Sequence, residues 1–175
     1  MKIMSNLNIL EYFSENDFNE SLVIKYLYKT NAITLICDYA GDILKAFVEG
    51  CQPLPLDERS YHRDIRKLDF AQLLNYEWEA GSNKSLQDFK NDYDASLHKP
   101  NITIRQIEIT TQENTTRSYI ARINFGDFGL CTFEFMHFEV RQRLIRSIGK
   151  LEDSHEYKYI DVEDNKPIDF YNPFD

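Results

Sequence analysis

This 175-residue chain predicts an α+β fold built mainly from antiparallel β-strands. Three consecutive runs of alternating side chains between Asn101 and Val140 carry that prediction. Ile102, Ile104, Ile107 and Ile109 mark segment 102–111, with one slip near Gln106 that suggests a bulge. Tyr119, Ala121, Ile123 and Phe125 share one face of segment 117–125. After the turn Gly126-Asp127, Cys131, Phe133, Phe135 and His137 share one side of segment 128–140.

The N-terminal half repeats the theme. Segment 20–28 places Leu22, Ile24, Tyr26 and Tyr28 on one face and Val23 and Leu27 on the other. The polar turn Lys29-Thr30-Asn31 leads into 32–39, where Ile33, Leu35, Cys37 and Tyr39 are in register, so the pair reads as a hairpin. Residues 43–49 fit a third strand at the same spacing, or a short helix capped by Asp42. The two prolines in Cys51-Gln52-Pro53-Leu54-Pro55 call for an extended loop. Alternation resumes in 63–70 and ends in Leu68 and Phe70. Segment 71–100 is the least regular part, with Leu73, Leu74, Tyr76 and Trp78 followed by a short helix over 85–93.

Beyond Val140 the period changes. Val140, Leu144 and Ile148 fall at i, i+4 and i+8, and Gly149 suits the residue after a helix, so 141–149 is predicted helical. Segment 156–162 returns to strand, and Asp164-Asn165-Lys166-Pro167 turns. The sum is two β-meanders around an irregular middle, with one or two short helices. One sheet curls towards a partial barrel, or two sheets pack as a sandwich. The expectation is a single domain, 1–175, with 163–175 as its peripheral tail.

Composition narrows the setting. Cys37, Cys51 and Cys131 form neither a disulfide framework nor a CxxC motif, which fits buried thiols in a reducing compartment. No apolar run approaches the roughly 20 residues that span a bilayer, and no signal-like stretch opens the chain, so a cytoplasmic location and no membrane partner are expected. The net charge is −9, and residues 151–175 supply −6 of it through eight acids against two lysines. That balance disfavours nucleic acid and favours a basic protein partner, or simply keeps the chain in solution.

Catalytic signatures are missing. There is no phosphate-binding loop, no dinucleotide fingerprint and no nucleophile elbow, and Gly126-Asp127-Phe128-Gly129 is a turn between strands. His137 with Glu139, and His62 with Asp64, have the two-residue spacing of metal ligands or of a base and its orienter. Each pair equally suits a hydrogen-bonded histidine beside a solvated acid, so no metal, cofactor or catalytic residue is assigned. Cys131 and His137 are separated by six residues of strand, roughly 20 Å, too far for a dyad. Two basic clusters, Arg59 to Lys67 and Arg141, Arg143, Arg146 with Lys150, fit an anion contact or internal pairing with the surplus acids.

The C-terminal Asp169-Phe170-Tyr171-Asn172-Pro173-Phe174-Asp175 interleaves rings with acids. As a docking peptide it would use Phe170, Tyr171 and Phe174 as anchors and Asp169 and Asp175 for steering. Its rings could instead tuck against the sheet. Deletion separates the two readings, since only a tucked tail costs thermal stability.

From Arg63 onward the order of elements resembles the small β-rich immunity proteins of bacterial toxin–immunity systems. Leu68-Asp69-Phe70, the run from Ile102 to Ile109, and the segment from Gly126 to Val140 with Cys131 and Phe133 carry the likeness. It covers about half the chain and transfers no functional residue. It implies a cytosolic, single-domain bacterial protein that neutralises a toxin by binding it. The expected function is therefore a non-catalytic protein-binding domain. A small apolar-ligand carrier with an aromatic-lined β pocket is the alternative, although the sole tryptophan, in Tyr76-Glu77-Trp78-Glu79, lacks the Gly-x-Trp context of lipocalins. An enzyme of unrecognised type is the third reading.

Overall fold

Two antiparallel sheets face one another across a single aromatic core. The computed structural model describes residues 1–5, 7–41, 62–81, 102–112, 118–150 and 157–175. In chain order its elements are β1 (Lys2–Met4), α1 (Ile9–Glu15), β2 (Leu22–Lys29), β3 (Ala32–Asp38), β4 (His62–Ala71), β5 (Leu74–Ala80) and β6 (Gln106–Thr111). Then come β7 (Tyr119–Asn124), a single 3-10 turn (Gly126–Phe128), β8 (Gly129–Phe135), β9 (His137–Lys150), β10 (Tyr157–Asp161) and β11 (Pro167–Ile168). The larger, curled sheet runs β11-β10-β9-β4-β3-β2, and the smaller runs β5-β8-β7-β6. Strand β9 is long enough to serve three neighbours. It pairs with β4 along one edge, and with β1 and β10 in succession along the other.

The space between the sheets is filled. Phe70 of β4 lies 5.2 Å from Phe133, 5.0 Å from Phe135 and 5.0 Å from Phe138, ring centre to ring centre. Val23, Ile33, Leu35, Cys37, Leu68 and Val140 complete the large sheet's inner face. The contacts with Phe133 and Phe135 are edge-to-face, a geometry that adds about 0.5–1.5 kcal/mol per pair to the burial itself. The large sheet also has an apolar outer face, where Ile24, Ile36, Ile65 and Ile145 lie under Tyr159, Ile168, Phe170, Tyr171 and Phe174.

Several elements depart from the sequence reading, each for a local reason. The slip near Gln106 is a change of sheet, not a bulge. Ile104 donates to Ser21 and Val23 donates to Ile102, so 102–104 runs beside β2, whereas Arg105 donates to Asn124 and β6 pairs with β7. Segment 128–140 is likewise two strands. Cys131, Phe133 and Phe135 are buried in β8, the chain bends at exposed Met136, and β9 then buries Phe138 and Val140. His137 therefore faces outward, away from the side predicted for it.

The helix predicted over 141–149 is strand. A spacing of four is even, so Val140, Leu144 and Ile148 also share one face of a strand, and the ladder to β4 makes that choice. Segment 71–80, read as irregular, contains β5, where Tyr76 and Trp78 turn inward between exposed Glu77 and Glu79. In β2, a bulge between Val23 and Lys25 puts Tyr26 with Val23 in the inner core and leaves Ile24 on the outer face. The predicted elements at 43–49 and 85–93 lie outside the described residues.

Helix α1 was not foreseen, yet its start was legible. Asn8 caps it by accepting from the Glu11 amide at 3.2 Å, and Ile9, Tyr12 and Phe13 form the apolar stripe. At the other end of the core, Gly129 has φ 127°, and a Cβ there would stand 2.2 Å from the Glu79 carbonyl oxygen, so only glycine lets β8 approach β5 this closely.

Candidate interaction surface

Beyond β11 the chain doubles back over the outer face of the large sheet. Asp169 makes the turn: its Oδ1 accepts from the Tyr171 amide at 3.0 Å and its Oδ2 accepts from Asn172 Nδ2 at 3.3 Å. The rings behind it are held by the sheet. Phe170 stacks on Tyr159 at 5.2 Å and meets Tyr171 edge-on at 5.2 Å. Pro173 is buried, its carbonyl accepts from Arg143, and the Arg143 guanidinium stands 5.7 Å from the Phe174 ring centre. Lys25 Nζ donates to Asn172 Oδ1 at 3.2 Å. Phe170, Tyr171 and Phe174 are half-buried, while Asp169 and Asp175 remain exposed. The five residues singled out in the tail thus form one surface, with rings inward and acids outward.

Beside this strap lies a hollow of about 270 Å³. Its floor is Ala32, Thr34 and Ile36 of β3, and Lys25, Leu27 and Lys29 of β2 form one wall. Lys67, Phe174 and Asp175 close the other side. The register explains the grouping. Lys25, Ile36, Lys67 and Arg141 make one row across four strands, and Leu27, Thr34, Asp69 and Glu139 make the next. Arg141 Nε pairs with Glu139 at 2.9 Å, and Lys67 lies 3.9 Å from Asp69. Elsewhere on this face, Arg143 meets Asp161 at 3.0 Å and Arg63 meets Asp38 at 2.7 Å. Much of the two basic clusters is therefore neutralised within the chain.

The histidine–carboxylate pairs are placed apart and otherwise engaged. Glu139 takes Arg141, and exposed His137 borders a second hollow with Met136, Phe138 and Tyr119. Asp64 is gripped at both oxygens by Arg66 and again by Gln142 Nε2, at 3.0–3.3 Å. Arg66 itself is 5% exposed. It donates to Asn16 at 2.7 Å and Tyr12 at 3.2 Å, and its guanidinium lies 3.6 Å from the Tyr39 ring centre. This network pins α1 to the large sheet, a structural task for the second basic residue of the Arg63–Lys67 run.

Cys37 and Cys131 are both fully buried and free. Burial pushes the Cys131 thiol up to about 12, and hydrogen bonding with Tyr26 and Tyr76 works against that rise. Its sulfur lies 3.8 Å from the Tyr26 hydroxyl, which in turn meets the Tyr76 hydroxyl at 3.1 Å. A thiol held protonated reacts slowly, so native protein should label at Cys37 and Cys131 far more slowly than unfolded protein. Mass mapping after alkylation checks this, and rapid native labelling of Cys131 would show an activated nucleophile.

Among the described residues no helix is long and apolar enough to cross a membrane. Compared with protein-family models, curated proteins and solved structures, the chain finds no match.

Proposed function

We propose that this chain is a non-catalytic, cytoplasmic protein-binding domain that engages a basic partner, a bacterial toxin being one such, through the strapped outer face of its large sheet. The carrying observation is the split of the tail into anchored rings and displayed acids. Phe170, Tyr171 and Phe174 are fixed by the sheet, so exposed Asp169 and Asp175 stand on an ordered platform. Ordered charges steer association without losing chain entropy on contact. Free, buried thiols support a reducing compartment. The packed rings around Phe70 favour a binder over a carrier, which needs that space for its ligand.

Affinity purification with the full chain from its native extract supplies the partner, and Asp169→Asn with Asp175→Asn then tests the surface. Asparagine keeps the acceptor for the Tyr171 amide and removes the charge, giving up only the longer, exposed bond from Asn172 Nδ2. Association should slow severalfold at low salt, and the difference should vanish at high salt as screening shortens the field to about 3 Å near 1 M. A partner that binds both forms at one rate at low salt would remove this surface from the reading.

A further inference from the structure

Between the two sheets the aromatic core ends in a stack of phenols. Tyr28 of β2 and Tyr76 of β5 lie face to face, with 4.0 Å between ring centres and 11° between planes. The two strands belong to different sheets, so this pair bridges the layers. Tyr119 and Tyr159 also stack, but on Phe135 and Phe170, which carry no hydroxyl.

The two partners are placed differently. Tyr28 sits beside the β2–β3 turn and is 40% exposed, so a reagent in solution reaches its ring. Tyr76 is half-buried, and its hydroxyl meets the Tyr26 hydroxyl at 3.1 Å, which holds the ring against Tyr28. Around Tyr76 the β5–β8 register shifts between Leu74 and Glu77, and Asn75 takes φ 53°. That break in the ladder gives the strand room to adjust. Two phenols already in contact have given up the freedom that a coupling reaction would otherwise cost.

We infer that Tyr28 and Tyr76 form an oxidative modification site, which a peroxidase-type oxidant couples into a dityrosine that staples the two sheets. Each phenol loses one electron and its hydroxyl proton. The two radicals join through ring carbons ortho to oxygen, and the hydrogen displaced from each carbon returns to its own oxygen. In sum, two electrons and two protons pass to one peroxide, which leaves as two waters. Cys37 and Cys131 are fully buried, so the oxidant reaches Tyr28 before either thiol. The bond closes a loop of roughly 50 residues, and a constraint of that length acts on the unfolded chain as a disulfide does. Tyr76 packs on the inner core and the tail on the outer face, so this site and the binding surface are tested separately.

The test treats the full chain, at low concentration, with hydrogen peroxide and a haem peroxidase. Dityrosine fluorescence should appear in the monomer, whose mass falls by two hydrogens, and peptide mapping should join Tyr28 to Tyr76. Tyr28→Phe and Tyr76→Phe keep the stack, and each should cut the signal more than about tenfold, whereas Tyr119→Phe should leave it unchanged. The cross-linked monomer should melt on the order of 10 °C higher than the untreated chain. A bond mapped to other tyrosines, or one that forms only between chains and grows with concentration, would overturn the inference without recourse to any variant. Signal that persists in Tyr28→Phe, or a cross-linked monomer with an unchanged midpoint, would overturn it equally.

Discussion

Raising the pH from about 8 to about 11 is expected to unfold the protein, by linkage to its buried thiols and phenols. Cys37 and Cys131 have an ordinary value of 9.0, and Tyr12 and Tyr26 one of 10.0. Burial is the largest cause in all four, and it pushes each up. Cys131 reaches about 12, and so does Tyr12, where Arg66 partly offsets burial. Tyr26 is raised further by the neighbouring Cys131 and by its hydrogen bond to Tyr76. The native state thus holds protons that the unfolded chain gives up. Stability is full below about pH 9 and is lost as pH climbs from the unfolded values towards the folded ones.

Each such proton removes about 1.4 kcal/mol per pH unit. At pH 11 two thiols and two phenols together remove roughly 8 kcal/mol, comparable with the ~5–15 kcal/mol that holds a domain of this size. Thermal midpoints should accordingly collapse between pH 9 and 11, and Tyr26→Phe should flatten the slope by one proton. Asp38 does not contribute in this range. Its burial also raises its carboxyl, against Arg63, but the stability so linked is lost at acidic pH, where that carboxyl ionises. A midpoint constant through this window, or native phenols ionising at their ordinary pH by absorbance, would show that these groups are hydrated.

Alternation revealed the fold because each sheet buries one face, and a period of two survives in the letters. It failed where a third dimension decides. The even spacing of Val140, Leu144 and Ile148 fits helix and strand alike, and only the partner strands β4 and β10 resolve it. The changes of sheet at Arg105 and Met136 reverse the inward side within one apolar run, so His137 was assigned to the wrong face. At the candidate surface, the tail's rings and acids were visible as residue types. The lysine hollow was not, because Lys25 and Lys67 flank Ile36 in a row set by strand register, and register is absent from a single sequence. The start of α1 is legible in the sequence, where Asn8 stands three residues before Glu11 as an N-cap.

Deleting residues 168–175 should lower the thermal midpoint on the order of 10 °C. The segment removes Ile168, Phe170, Tyr171 and Phe174 from the outer cluster, and it uncovers Ile24, Ile65 and Ile145, each 0% exposed, with Ile36 at 5%. Full burial of such a side chain is worth about 1.5–3 kcal/mol. Partial exposure of four of them, with the loss of the packed rings, costs roughly 3–5 kcal/mol. For a chain of this length each kcal/mol moves the midpoint about 2–4 °C. Phe170→Ala, which breaks only the stack on Tyr159, should cost roughly a third as much. An unchanged midpoint, with no new binding of a hydrophobic dye, would make the tail a removable appendage and its packing incidental. The size of the expected effect also governs how binding must be measured. Loss of a partner on deletion would follow from damage to the sheet alone, so the carboxylate-to-amide changes at Asp169 and Asp175 carry the functional test.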